Sequence, residues 1–170
     1  HNETENLAPL IDEIRAALGG GSAYEIIYVD DGSTDATLGM LKDLADKVPE
    51  LRVLRHVACC GQSAAIWTGV RAARAPLIAT LDGDGQNDPA DIPALVAKYT
   101  EEGGGERLMI AGLRAKRRDT YIRRLSSRIA NGIRSGLLQD DTPDTGCGLK
   151  VFPRQAFLDF PRFDHMHRFM

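Results

Sequence analysis

Cysteine is scarce in this chain, and what there is lacks metal-binding spacing. Cys59, Cys60 and Cys147 are an odd number with no Cys-x-x-Cys among them, so neither a disulfide framework nor a zinc site is expected, and a reducing, cytoplasmic setting follows. No apolar run approaches the roughly 20 residues of a membrane span, and no signal peptide is visible; a domain soluble as it stands is expected. Neither sign of charge dominates. With 24 acidic against 21 basic residues the net charge is −3, and nothing global suggests nucleic acid. Repeats and low-complexity tracts are missing too. The 170 residues suit one well-buried domain and are few for two. The chain opens on His1-Asn2-Glu3 and stops at His167-Arg168-Phe169-Met170 without a terminating signal, so both ends read as cut.

What is present centres on Leu77-Ile78-Ala79-Thr80-Leu81-Asp82-Gly83-Asp84-Gly85-Gln86. Its first half is a short run of β-formers, the pattern of a strand buried on both faces. Its second half places two carboxylates, one glycine apart, where that strand should end, and ligands bind at the carboxyl ends of strands in open α/β sheets. Asp-x-Asp offers hard oxygen ligands to Mg²⁺ or Mn²⁺. Gly83 and Gly85 leave room for a diphosphate to approach the backbone. Taken alone, Asp-Gly-Asp-Gly is equally a plain turn. A calcium loop fits less well, because the EF-hand needs Gly at its sixth position and Asn87 stands there.

Along the chain, Leu7, Leu10, Ile11, Ile14 and Leu18 predict an amphipathic helix over residues 4 to 18, stopped by Gly19-Gly20-Gly21. Glu25 to Val29 predicts a strand broken by Asp30-Asp31-Gly32-Ser33. Ser33 or Thr34 is then placed to cap a helix through Leu38, Leu41, Leu44 and Ala45, closed by Pro49. Leu51 to Leu54 reads as a strand, Gln62 to Arg74 as a helix, and Pro76 as the start of the central strand. Pro89 to Tyr99 reads as another helix, and Leu108 to Ala111 as a further strand. Such alternation predicts a mainly parallel sheet with helices on both faces.

The composition changes at Arg114. From there to Arg134 eight basic residues face one acid, Asp119, with Ile122, Leu125, Ile129 and Ile133 on one helical face. A basic amphipathic helix can lie on an anionic membrane or collect phosphates, and it can equally be a solvated face packed by its isoleucines. The positive excess favours an anionic partner. Beyond it, Asp144 to Phe152 reads as a glycine-loosened turn into a strand, and Arg154 to Phe160 as a short helix.

Four stretches stand in a telling order: Val29-Asp30-Asp31-Gly32-Ser33-Thr34-Asp35, Gly61-Gln62-Ser63-Ala64-Ala65, Asp82-Gly83-Asp84-Gly85-Gln86-Asn87-Asp88-Pro89 and Asp144-Thr145-Gly146-Cys147-Gly148-Leu149-Lys150. Together they resemble family 2 glycosyltransferases of the GT-A fold. More narrowly they resemble the polyprenyl-phosphate branch, typified by dolichol-phosphate mannose synthase and undecaprenyl-phosphate sugar transferases. The resemblance covers nearly the whole chain. It implies an α/β, Rossmann-like nucleotide-diphospho-sugar transferase domain, with the family's first strand missing before residue 1. Of the Pro-x-Tyr-Asn-Glu that ends that strand only the tail remains, with His1 in the aromatic's place and Asn2 and Glu3 after it.

By resemblance, His1, Glu3, Val29 and Asp31 belong to the nucleotide-sugar site, with Asp31 facing the base, whose N–H donors a carboxylate can accept. For Asp30 the resemblance adds nothing to a capping role. Asp82, Gly83 and Asp84 match the diphosphate site; Asp82, Asp84 and Gln86 match the metal site for Mg²⁺ or Mn²⁺. Arg114, in Gly112-Leu113-Arg114, and Arg128, in Ser127-Arg128-Ile129-Ala130-Asn131, match arginines facing the donor diphosphate or the acceptor phosphate, where guanidinium forks bind oxyanions. Lys150 falls where relatives carry a basic residue and takes the same role. Asp82, Asp84, Arg114 and Arg128 are thus the expected catalytic set. The processive synthases' Gln-x-x-Arg-Trp is missing; Trp67 reads as helix core, His56 as structural. The family pattern often has Asn where Cys59 stands.

The implied activity is inverting, metal-dependent transfer of a sugar from a nucleotide donor to a polyprenyl (dolichyl or undecaprenyl) phosphate at the cytoplasmic membrane face. Transfer to a glycan or protein hydroxyl is the second reading. A non-catalytic domain that docks on membranes or partners through the basic helix is the third.

Overall fold

The computed structural model describes residues 1–21, 23–112, 147–163 and 165. Arg114, Arg128 and the whole basic stretch, together with Asp144 to Gly146, lie outside the described residues.

The chain begins with a short turn and helix α1 (Leu7–Leu18), whose Leu7, Leu10, Ile11 and Ile14 are buried. These recur every three or four residues, so one stripe faces inward. Gly19 ends the helix, its N–H donating to the Arg15 carbonyl. Strand β1 (Ile26–Asp31), helix α2 (Thr37–Ala45) and strand β2 (Leu51–His56) form a βαβ unit. Its strands pair in parallel from Ile26↔Leu51 to Asp31↔His56, as a helical crossover requires. Leu10, Ile11 and Ile14 of α1 pack with Ile26, Val48 and Leu51 into one core cluster.

Helix α3 (Gln62–Ala72) leads to strand β3 (Leu77–Thr80). A single 3₁₀ turn then leads to helix α4 (Ile92–Glu101) and the two-residue strand β4 (Ile110–Ala111). Strand β5 (Lys150–Pro153) lies between β3 and β4 and is antiparallel to both; helix α5 (Arg154–Asp159) follows. Trp67 and Phe152 both lie against Phe157, with ring centroids 5.7 and 5.4 Å apart, in a second cluster with Val70.

Three expectations are corrected. The strand predicted to break at Asp30 continues through Asp31, because both aspartates keep their pairing with Arg55 and His56; Gly32, at φ +68°, makes the turn. A Cβ there would fall 2.6 Å from the Cys59 backbone nitrogen. Neither Ser33 nor Thr34 caps α2. Asp35 accepts from the Thr37 N–H, since Ser33 is engaged by the Asn2 N–H and the Thr34 N–H by the Asn2 carbonyl Oδ1. Finally, the described sheets are one parallel pair and one antiparallel set of three, not mainly parallel. Strand–helix alternation predicts parallel neighbours, but β5 runs antiparallel to both β3 and β4.

Among the described residues β1 pairs only with β2, and β3 only with β5. Between the free edges of β1 and β3 lies a cavity of about 1660 Å³, walled by Ile27 and Val29 on one side and Ile78 and Thr80 on the other. No helix among these residues is long and apolar enough to cross a membrane.

Candidate active site

The carboxyl ends of β1 and β3 open onto the same end of this cavity. Asp82, Gly83 and Asp84 line it from the β3 side, Asp31 from β1, and His1 and Glu3 from the chain's start. Hydrogen bonds to the turn after β1 and the start of α2 hold that segment in place. The Asn2 N–H donates to Ser33 Oγ (2.9 Å), the Glu3 N–H to Thr37 Oγ1 (3.1 Å), and the Thr4 hydroxyl to Asp35 (2.6 Å). The Asn2-Glu3 tail and the Asp-Asp-Gly-Ser turn are therefore one rim.

Asp82 is half-buried and held on both oxygens: Gln62 Nε2, from the first turn of α3, donates to Oδ1 at 2.7 Å, and Asn87 Nδ2 approaches Oδ2 at 3.4 Å. Behind it stands Gly148, where a Cβ would overlap the Asp82 carboxylate. Only glycine lets the turn before β5 come this close. Its carbonyl accepts from Thr80 Oγ1 at 2.7 Å, which ties that turn to the end of β3. Asp84 is exposed, and its Oδ1 accepts the Gln86 N–H at 3.1 Å. Gln86 is exposed on the same loop. A Cβ on Gly83 would meet the Tyr28 hydroxyl at 2.8 Å. Burial, and then the charges of Glu3, Asp30 and Asp35, push that phenol up to about 12, so Tyr28 is a neutral wall.

Lys150 is buried at the first position of β5, opposite Thr80, and lines the same cavity. Val29 lines it from β1. The fold thus brings His1, Glu3, Val29, Asp31, Asp82, Gly83, Asp84 and Lys150 to one cavity, with Gln86 beside it. Gln62, Asn87 and Gly148, which fix Asp82, were not singled out from sequence, although each sits inside a motif stretch.

Asp31 is unlike the others. Its carboxylate accepts the N–H groups of Cys60 (2.9 Å) and Gly61 (2.8 Å), His56 Nδ1 (2.6 Å) and the Cys59 thiol (3.3 Å). Burial alone would push its pKa up; the Cys60 N–H, His56, the Gly61 N–H and Cys59 together outweigh that and hold it at about 2. A carboxylate has about four acceptor positions, so Asp31 would meet a base only by releasing one of these donors. Asp30, fully buried, caps the turn by accepting the Ser33 N–H at 3.1 Å.

The donor set at Asp82 and Asp84 is all hard oxygen, at the mouth of a cavity with a buried lysine. That chemistry fits Mg²⁺ or Mn²⁺ and a diphosphate.

The profile of glycosyl transferase family 2 matches residues 1–160. The chain belongs to that family. It is therefore a glycosyltransferase domain of the α/β, GT-A type. It is 36% identical over 172 residues to a dodecaprenyl-phosphate galacturonate synthase of Rhizobium johnstonii, covering 99% of this chain and 50% of that protein. It is also 36% identical to undecaprenyl-phosphate 4-deoxy-4-formamido-L-arabinose transferases of Enterobacter sp. and Yersinia pestis, over 159 and 157 residues; each match covers 91% of this chain and 46% of the relative. The domain spans about half the length of the curated relatives it matches.

Proposed function

We propose that the intact protein transfers a sugar, with inversion, from a nucleotide-sugar donor to a polyprenyl phosphate, at the cytoplasmic face of a membrane. The observation that carries this reading is the convergence of Asp82, Asp84 and Lys150 at the cavity end that Asp31 and Glu3 share. The named relatives, each acting on a polyprenyl phosphate, support the choice of acceptor.

Asp82 and Asp84, with Gln86 beside them, would hold Mg²⁺ or Mn²⁺, which supplies Lewis-acid stabilisation of the departing diphosphate. Gln62 and Gly148 keep the Asp82 carboxylate aimed. Lys150 adds positive charge inside the cavity, where desolvation strengthens its hold on a phosphate. Arg114 and Arg128 are assigned to the donor diphosphate or acceptor phosphate by family resemblance alone. His1, Glu3 and Val29 form the nucleoside wall. Asp31 contributes by fixing the Cys60–Gly61 turn or by exchanging one donor for the base. No general base is needed, because a phosphate monoester with a second pKa near ~6 is already largely ionised at pH 7.

The cleft between β1 and β3 we assign to a further strand outside these 170 residues. Among the described residues no strand pairs with either facing edge, and one inserted strand would satisfy the N–H and C=O groups of both.

Incubating the full-length protein with labelled nucleotide sugars and Mg²⁺ or Mn²⁺, then extracting lipid, tests the function. Label in the lipid phase that depends on polyprenyl phosphate and on the ion supports it. Label confined to glycan or protein would replace it with hydroxyl transfer, and anionic-liposome binding without turnover with a docking role.

A further inference from the structure

Asp31 and His56 are the last residues of the two parallel strands and are paired in register; the loop after β2 brings Cys60 back over them. One ligand atom from each of Asp31, His56 and Cys60 lies within 4.8 Å of the other two. We propose that these three residues bind a thiophilic divalent cation of the zinc class, at a site separate from the hard-oxygen pair Asp82 and Asp84.

Metal–ligand bonds of about 2.0–2.3 Å put tetrahedral ligand atoms roughly 3.3–3.6 Å apart. The 2.6 Å contact between His56 Nδ1 and Asp31 Oδ1 must open by less than about 1 Å to reach that spacing. Cys60 Sγ starts within 4.8 Å of the other two ligand atoms and must close to that spacing. It is exposed, and its thiol makes a weak bond to the Ala58 carbonyl at 3.2 Å. Asp31 is already an anion, at about 2, so one carboxylate and one thiolate would neutralise a divalent ion. The imidazole is also oriented: Nε2 lies 2.8 Å from Thr68 Oγ1. With metal on Nδ1 the ring proton moves to Nε2 and donates to that hydroxyl, the second support that metal-binding histidines commonly have. The thiol proton is released to solvent, so affinity rises with pH.

Cys59 and Cys60 lack zinc spacing in sequence. The site emerges only once β1 and β2 pair, which sets ligands 25 and 29 residues from Asp31 beside it.

Cobalt titration of the reduced protein tests this. The expected result is stoichiometric uptake with a near-ultraviolet thiolate-to-cobalt charge-transfer band that Zn²⁺ abolishes. Cys60→Ser, at an exposed position, should remove the band; Cys59→Ser and Asp84→Asn should keep it. Thr68→Val should weaken binding about tenfold, as loss of a supporting hydrogen bond does. Binding through the N-terminal His1 would give no thiolate band. A wild-type protein without the band, a band that survives Cys60→Ser, or one lost in Asp84→Asn would overturn the assignment.

Discussion

Two acid-and-glycine loops follow two strands of this domain, and they are used in opposite ways. After β1, Asp30-Asp31-Gly32 turns inward: Asp30 caps its own turn, and Asp31 gathers one donor from His56 at the end of β2 and three from the loop after it. After β3, Asp82-Gly83-Asp84 turns outward, with Asp82 steadied by side chains and Asp84 exposed. Composition is nearly the same. The difference is in the neighbours: backbone N–H groups that meet a carboxylate make it a structural anchor, whereas the outward loop steadies Asp82 with side chains and leaves Asp84 exposed.

The sharpest way to break this contrast is Asp84→Asn in the full-length enzyme. Sugar transfer should fall about 10²–10³-fold, while urea denaturation shifts by no more than about 0.5 kcal/mol. A variant that keeps its activity would place the outward loop with the inward one. Gly148→Ala pushes a methyl group into the Asp82 carboxylate and should lower kcat by about 10², the scale of a misplacement near 1 Å; circular dichroism should stay unchanged. Asp31→Asn reverses the pattern, since the amide cannot accept all four donors. A loss of about 2–3 kcal/mol in urea midpoint stability is expected. Were Asp31→Asn as stable as the parent, the anchor assignment would fail.

The smallest effects are in pH. In the fold Asp31 stays ionised down to about 2, against an ordinary 3.8. Below 3.8 the unfolded chain binds the proton first, so stability is lost as pH falls from about 4 to about 2. Asp35, likewise held at about 2 by bonds from the Thr37 and Thr4 hydroxyls, steepens the same limb, and Asp31→Asn should flatten only part of it. At the other end Tyr28 titrates near 12 instead of 10, so stability falls as pH rises through that interval. Tyr28→Phe should flatten the alkaline limb alone in pH-dependent thermal melts.

Much of this was legible before folding. The periodicity of Leu7 to Leu18 and the apolar runs before both acid loops located α1, β1 and β3 within a few residues, because local patterns decide those elements. The motif stretches pointed to Asp82, Asp84 and Glu3. What sequence could not show depends on register and close approach. That Asp31 is spent on Cys60 and Gly61 follows from the pairing of Asp31 with His56, and that Gly148 backs Asp82 follows from Thr80 standing opposite Lys150. The antiparallel pairing of β5 with β3 and β4 was also hidden, since strand–helix alternation predicts parallel neighbours.

The two strand margins across the cleft, unpaired among the described residues, have a practical consequence. Each offers a row of backbone groups to any extended segment that can reach it. Purified alone, the domain should therefore self-associate as its concentration rises, and a short β-forming peptide able to seat between Val29 and Ile78 should act as a wedge that keeps copies apart while raising the melting temperature.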